Sequence, residues 1–277
     1  MNQPTIIISR LDQPDCREDA LIALCAATPG VSVLVMPHIY HLPEDSALWE
    51  KLATLRGAVV LVSPLHPRPA EWLLRRHAVD AEALHAFNLD SYADARECFS
   101  AIRSVLNLSD ESDASDVSDM SDMSDNMSAP LTPRWYPIID KSRCVECQHC
   151  LQFCLFGVYT LEDGAVVVRD PDRCKPGCPA CSRICPHGAI IFPLYEKSEA
   201  IAGAPGLFMT PDLTARKMFY LRTKTPCPRC GLTENTTGAG PICEECGRAV
   251  PQTETGGVYE DIDALIDAVD QIAWKNR

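Results

Sequence analysis

The sequence lacks the features that mark a nucleic-acid-binding or membrane-spanning protein. Its 277 residues include 25 Lys and Arg against 38 Asp and Glu, which gives a net charge of -13. A surface that follows phosphates needs clustered basic residues, and no basic run occurs. No apolar run approaches the roughly 20 residues that cross a bilayer. We therefore expect neither a nucleic-acid partner nor a membrane span.

Signals for secretion and for standard nucleotide binding are also missing. Residues 1–10 contain no basic stretch and only three consecutive isoleucines, unlike a signal peptide. Neither a G-x-G-x-x-G motif nor a phosphate loop is present. The fifteen cysteines are odd in number and lie in a long chain, whereas secreted disulfide scaffolds are short. We expect a cytoplasmic protein in which three isolated cysteines, Cys16, Cys25 and Cys98, are buried as small apolar side chains.

An acidic, low-complexity segment divides the chain. Six consecutive Ser-Asp-x triplets run from Ser109 to Asn126 and contain seven acidic residues and no basic residue. A period of three fits neither a helix nor a strand, and such a composition cannot build a core. Residues 109–133 are predicted to be a disordered linker, either a plain spacer or a tract that is phosphorylated or binds a partner.

Residues 1–108 alternate short apolar runs with helical patterns. The predicted strands are Thr5–Ser9, Val31–Met36, Ala58–Val62 and Ala86–Leu89. Helices are predicted at about 15–27, 44–55, 69–78 and 91–106. Strand followed by helix, repeated four times, implies an α/β domain with a parallel sheet in a flavodoxin-like pattern.

Polar side chains follow the first three predicted strands, where ligands bind in open α/β sheets. The candidate ligand-site residues are Ser9, Arg10, His38, His41, His66 and Arg68. Histidines and arginines on neighbouring loops could bind a metal, an anionic substrate or a tetrapyrrole carboxylate. The alternative is that these are solvated loop side chains.

Eight cysteines form two runs with spacings typical of iron–sulfur proteins. The runs are Cys144, Cys147, Cys150, Cys154 and Cys174, Cys178, Cys181, Cys185. Three closely spaced thiolates can surround one cluster, while the fourth cysteine of each run points towards another. The two runs lie in matching frames 30 to 31 residues apart, which predicts a duplicated unit with two cross-linked sites. Glu162-Asp163-Gly164 predicts the turn of a hairpin inside this unit.

At these cysteines, residues 134–195 resemble the bacterial dicluster ferredoxins, which carry two 4Fe-4S clusters. The resemblance implies an α+β ferredoxin-like dicluster domain over residues 134–200. It also implies that one cluster is held by Cys144, Cys147, Cys150 and Cys185, and the other by Cys174, Cys178, Cys181 and Cys154. Leu155 departs from the proline usual in the family, and the second run opens with a spacing of three. Zinc at these cysteines, or clusters with a purely structural role, are the alternatives.

Four further cysteines form two C-x-x-C pairs, each followed by glycine. They are Cys227, Cys230, Cys243 and Cys246, within a predicted domain of residues 222–250. The pattern resembles zinc ribbons and the rubredoxin-like iron site of rubrerythrins. Because the loop between the pairs contains no aromatic residue, we favour one structural Zn²⁺ over rubredoxin-type iron. An amphipathic C-terminal helix is predicted over residues 258–275.

These patterns favour an iron–sulfur electron-transfer protein that passes single electrons between a low-potential donor and an acceptor. Its expected partners are redox proteins. Two alternatives stay open: a ferredoxin-fused enzyme whose substrate or metal site lies on the N-terminal domain, and a redox or oxygen sensor. The sequence favours a carrier over a catalyst.

Overall fold

The computed structural model describes residues 3–10, 15–79, 81, 83–108, 121–122, 131–224, 226–233 and 241–250. The chain forms two compact units, residues 1–211 and residues 212–277. The predicted helix at 258–275 lies outside the described residues, as does most of the predicted linker. No helix in the described ranges is both long and apolar enough to cross a membrane.

The first unit is built on a parallel sheet, which confirms the predicted α/β class. Its strands are β1 (Thr5–Ser9), β2 (Ser32–Met36), β3 (Ala58–Ser63) and β4 (Ala83–Asn88), paired in the order β4-β3-β1-β2. A two-residue strand, β5 (Ser121–Asp122), pairs in parallel with β2. The strands form because they are runs of β-branched and other apolar residues that are covered on both faces. Ile6, Ile7 and Ile8 illustrate this, since none exceeds 1% exposure.

Four helices follow the strands close to their predicted positions. They are α1 (Cys16–Ala26), α2 (Ala47–Ala53), α3 (Pro67–Arg76) and α4 (Ala95–Leu106). Asp15 caps α1 by accepting from the Arg17 N–H, and Glu18 completes the capping box. Helices α1 and α4 cover one face of the sheet, and α2 and α3 cover the other. The burial predicted for the isolated cysteines is confirmed for Cys25 and Cys98 but is wrong for Cys16, which is exposed.

The cysteine-rich segment repeats one pattern of elements. Strand β6 (Ile138–Ile139), helix α5 (His149–Phe153) and strand β7 (Tyr159–Glu162) are followed by β8 (Ala165–Val168), α6 (Ala180–Ile184) and β9 (Ile190–Ile191). The antiparallel pairing of β7 with β8 confirms the predicted hairpin. Its turn has positive φ at Asp163 (49°) and Gly164 (83°), as a two-residue hairpin turn of this type requires. A short helix, α7 (Glu199–Ala202), follows β9.

This segment shares a hydrophobic core with the α/β sheet, although the sequence predicts two separate domains. Tyr136, Ile138 and Ile191 are fully buried in the same cluster as Tyr40 and Leu73. The Tyr40 hydroxyl donates to the Tyr136 carbonyl (2.6 Å) and accepts from the Tyr136 N–H (2.8 Å). The Tyr136 hydroxyl donates to the Tyr40 carbonyl (3.0 Å), and the rings stack at 4.3 Å. The two tyrosines therefore join the α/β sheet to the cysteine-rich segment, and both of their hydroxyls have hydrogen-bond partners.

Charged residues also link the α/β sheet to the cysteine-rich segment. Arg68 donates to the Asp140 carboxylate (2.6 Å) and to the Gly188 carbonyl (2.7 Å). Arg134 contacts the carboxylates of Glu44 (3.0 Å) and Asp172 (2.7 Å). Each arginine therefore bridges two parts of residues 1–211 that are distant in sequence.

The second unit contains helix α8 (Leu213–Thr223), capped by the Asp212 carboxylate. The four-cysteine segment follows it, with one antiparallel bridge between Ile242 and Ala249.

Candidate metal centres

Helices α5 and α6 place their cysteines in the same way. Each helix is five residues long, carries one cysteine as its second residue and has another directly after its last residue. For α5 these are Cys150 and Cys154, and for α6 they are Cys181 and Cys185. The two helices pack against each other, so each brings one cysteine towards each of the two predicted ligand sets.

The first set of predicted ligands surrounds a single cavity. Cys144, Cys147, Cys150 and Cys185 line it together, with Ile139, Val166 and Ile190 forming apolar walls. Burial, reinforced by the neighbouring Cys185 thiol, raises the pKa of Cys150 to about 12. Binding to a metal would stabilise the thiolate form of such a buried cysteine.

The second set also lies together. Burial raises the pKa of Cys174 to about 12, and the nearby Cys178 and Cys154 contribute to the rise. Burial likewise raises the pKa of Cys181, which has Cys150, Cys174 and Cys154 as electrostatic neighbours. Cys181 and Cys150 thus connect the two sets, which are adjacent.

The eight sulfurs are less compactly arranged than those of the second unit. Among the described residues, which include all eight cysteines, the group of ligand atoms that lie within 4.8 Å of one another is formed by other cysteines, Cys227, Cys230, Cys243 and Cys246.

One sulfur of each predicted ligand set accepts a hydrogen bond. The Ala189 N–H donates to Cys185 Sγ at 3.3 Å. The buried Tyr159 hydroxyl donates to Cys181 Sγ at 3.1 Å. Gly188 adopts a φ of 58°, and a Cβ there would approach the Met209 carbonyl oxygen to 2.9 Å. Only glycine fits the turn that leads from Cys185 to the Ala189 N–H.

The four cysteines of the second unit form a compact metal-binding group. All their sulfurs lie within 4.8 Å of one another, with Cys227 and Cys243 3.9 Å apart and Cys230 and Cys246 3.6 Å apart. The Gly231 N–H donates to the Cys227 carbonyl (2.8 Å), and the Gly247 N–H donates to the Cys243 carbonyl (2.7 Å). These two equivalent turns suit tetrahedral coordination of one ion.

Arg248 is part of this group, and sequence reasoning missed it. It is the largest fully buried side chain in the part of the chain that the structure describes, and its Nε donates to Cys246 Sγ at 3.2 Å. Its carbonyl accepts from the Cys243 N–H (2.9 Å), and its guanidinium lies over the Tyr220 ring. Four thiolates around a divalent ion carry two negative charges, which a buried cation partly offsets. No spacing rule marks an arginine two residues after the last cysteine.

The six candidate residues of the N-terminal domain are used in several separate contacts. His38 and His41 are buried with ring centroids 4.3 Å apart, and His41 Nδ1 accepts from the Arg134 N–H (3.0 Å). The Ser9 hydroxyl accepts from the Ile39 N–H (2.8 Å) and so fixes the loop after β2.

The remaining three candidates turn to different neighbours. Arg10 pairs with Asp19, Arg68 pairs with Asp140, and His66 directly precedes α3. A ligand site formed by all six residues stays a prediction.

Sequence reasoning missed the residues that fill the crevice between β1 and β3, where Arg17 pairs with Asp15 (2.6 Å) and Asp90 (2.7 Å).

Comparison with known proteins gives relatives for about a fifth of the chain. No protein-family model matches it. A 60-residue segment is 52% identical to an uncharacterized ferredoxin of Methanocaldococcus jannaschii, covering 21% of this chain and 41% of that protein. The pyruvate synthase subunit PorD of the same organism is 39% identical over 22% of this chain and 70% of the subunit. Ferredoxin-3 of Nostoc sp. is 34% identical over 20% of this chain and 74% of its own length. The chain thus spans about two fifths of the length of the first of these relatives.

Proposed function

This chain belongs, through its cysteine-rich segment, to the ferredoxins, and we propose that it carries two 4Fe-4S clusters and passes single electrons between a low-potential donor and an acceptor. Its ferredoxin and PorD relatives support an iron–sulfur electron-transfer role. The observation that carries the two-cluster proposal is the placement of two cysteines from each of the adjacent helices α5 and α6 into two different thiol sets.

The described residues would bind and tune the clusters. Cys144, Cys147, Cys150 and Cys185 would hold the first cluster, and Cys154, Cys174, Cys178 and Cys181 the second. A 4Fe-4S cluster of this kind accepts and donates one electron. The apolar side chains of Ile139 and Val166 limit water access to the first set. Hydrogen bonds to Cys181 and Cys185 stabilise negative charge on sulfur.

The finer assignments of the other parts complete this proposal. The second unit would be a zinc ribbon, with Cys227, Cys230, Cys243 and Cys246 binding one structural Zn²⁺ beside Arg248. The parallel sheet would be a flavodoxin-like domain that recognises a redox partner protein. Since PorD is named as a subunit of pyruvate synthase, a multisubunit oxidoreductase is the class of partner we favour. Reduced cysteines at twelve ligand positions would suit a cytoplasmic location.

Metal analysis after anaerobic purification tests this function. We expect about eight iron, eight sulfide and one zinc per chain, with EPR signals of two interacting 4Fe-4S clusters after reduction. Nine iron without zinc would assign rubredoxin-type iron to the second unit, and four iron would leave one cluster. A chain that binds no iron or is not reduced by a low-potential donor would contradict the proposal.

Replacing Tyr159 with phenylalanine should lower the reduction potential of one cluster. The lost hydroxyl donates to Cys181 Sγ, and such a bond stabilises the reduced, more negative cluster. Each kcal/mol by which the reduced cluster is destabilised relative to the oxidised cluster lowers the potential of a one-electron couple by about 40 mV. Redox titration followed by EPR provides the measurement.

Tyr195→Phe is the matched control for this variant. The Tyr195 hydroxyl accepts from Arg183 in the same segment. The control should leave both potentials unchanged. Equal shifts in the two variants would contradict a direct effect of Tyr159 on the cluster sulfur.

A further inference from the structure

A cavity of about 410 Å³ lies between helix α3 and the β7–β8 hairpin, within residues 1–211. Its size falls in the range of roughly 300–1,000 Å³ that is typical of small-molecule sites. It contains none of the cysteines and none of the residues that the sequence analysis selects for ligand binding. It is formed only because the cysteine-rich segment packs on the α/β sheet.

Positive charge predominates around this cavity. The cations are Arg75, Arg76, Lys141 and Arg169, and the only carboxylates among the lining residues are Glu44 and Glu162. This balance is the reverse of the whole chain, whose net charge is -13. The Glu44 carboxylate is shared between Arg76 (2.8 Å) and Arg134 (3.0 Å), so it does not neutralise both arginines. Lys141 pairs with Glu146 (2.9 Å) outside the lining, so the excess positive charge comes from the three arginines. The lining therefore favours an anion.

Two of these cations are available to a ligand. Arg75 is exposed and has no ion-pair partner within 4 Å among the described residues, although the Glu71 carboxyl one helical turn earlier is an electrostatic neighbour. Arg169 pairs with Glu162 at 2.5 Å, but both side chains are well exposed, at 66% and 45%. Such exposed pairs are weak, so an anionic ligand could replace Glu162 as the partner of Arg169.

An aromatic surface lies beside the cations. Trp72, Arg75 and Arg76 occur at helical spacings of three and four, so helix α3 presents all three on one face. The Arg75 guanidinium lies 5.8 Å from the centre of the Trp72 ring. A planar ring could stack on Trp72 or on the guanidinium while its charged group reaches the other cations.

The wall of the cavity also borders the first thiol set. Ile139 lines both this cavity and the space enclosed by Cys144, Cys147, Cys150 and Cys185. Strand β8 separates them in the same way, since Val167 faces the cavity and Val166 faces the thiols. A molecule bound here would be separated from the first set by little more than one side chain.

We propose that this cavity binds a phosphorylated planar heterocycle of mononucleotide size, with the phosphate held by arginine side chains and the ring against Trp72. Side-chain cations would thus replace the phosphate loop that the sequence lacks. Binding of the heterocycle does not depend on the proposed function. The placement of its ring next to an iron–sulfur cluster rests on the proposed function.

Binding of FMN to the anaerobically purified full chain tests this proposal, with flavin fluorescence as the readout. Riboflavin, titrated in the same way, probes the ring, and inorganic phosphate, titrated in competition with FMN, probes the phosphate. We expect FMN to bind at least ten times more tightly than either fragment. Binding of riboflavin as tight as that of FMN would overturn the role of the cations.

Charge-reversal variants locate the site. Arg75→Glu and Arg169→Glu should each weaken FMN binding at least tenfold. Arg96→Glu, an equal charge change on the exposed surface of α4, is the control and should leave the affinity unchanged. An unchanged affinity in both cavity variants, or no FMN binding at millimolar concentration, would overturn the proposal.

The iron content and the reducibility of the same preparations separate this result from the proposed function. A chain with eight iron atoms that is reduced normally but does not bind FMN would remove the cavity proposal and leave electron transfer intact. A chain that binds FMN but lacks iron would contradict the electron-transfer proposal and leave the cavity proposal intact.

Discussion

Replacing Cys150 with serine should lower the iron content from about eight to about four atoms per chain. Cys150 is 9% exposed and lies among Cys144, Cys147 and Cys185, so no other described thiol can take its position. A 4Fe-4S cluster with three thiolate ligands is expected to be lost or degraded during purification. Iron and sulfide analysis and the EPR spectrum of the reduced protein measure the effect.

Two further variants make this result specific. Cys181→Ser should also halve the iron content but leave the EPR signal of the other cluster, because Cys181 belongs to the second set. Cys16→Ser changes an exposed thiol on α1 and should keep all eight iron atoms. Eight iron atoms in the Cys150 variant, or the same remaining signal in both cluster variants, would contradict the assignment of two separate ligand sets.

Replacing Tyr136 with alanine should destabilise residues 1–211 by about 4 kcal/mol. Removing a large buried aromatic side chain costs about 3–5 kcal/mol, and the Tyr40 carbonyl also loses its donor. Tyr136 is fully buried between the sheet and the cysteine-rich segment. The alanine variant would therefore leave a cavity in the core. Denaturant unfolding of the cluster-loaded protein, followed by circular dichroism, gives the free energy of unfolding.

Tyr136→Phe separates the ring from its hydroxyl. The phenylalanine ring can still stack on Tyr40, and the backbone N–H of residue 136 can still donate to the Tyr40 hydroxyl. We expect a loss of about 1–3 kcal/mol from the unsatisfied Tyr40 carbonyl alone. A loss below about 1 kcal/mol in the alanine variant would show that the two halves fold independently of this contact.

The elements of this protein were largely predictable because they depend on local patterns. Apolar runs such as Thr5–Ser9 form strands with the same bounds in sequence and structure. Strand β4 was less well predicted, because Ala83–Asn88 contains polar residues and is only partly buried along most of its length. The thiol sets were accessible from sequence for another reason, since cluster and zinc ligands recur at fixed short spacings.

Local sequence patterns were sufficient to predict the strand-helix alternation, the two cysteine runs and the four-cysteine group. Each depends on periodicity or spacing within about 20 residues. The folded chain was needed to show that Tyr40 contacts Tyr136, 96 positions away, and that Arg248 is buried against Cys246. It was also needed to show that Arg75 and Arg169 line one cavity. These contacts arise from the packing of surfaces that are remote in sequence, and local patterns carry no information about which remote surfaces will meet.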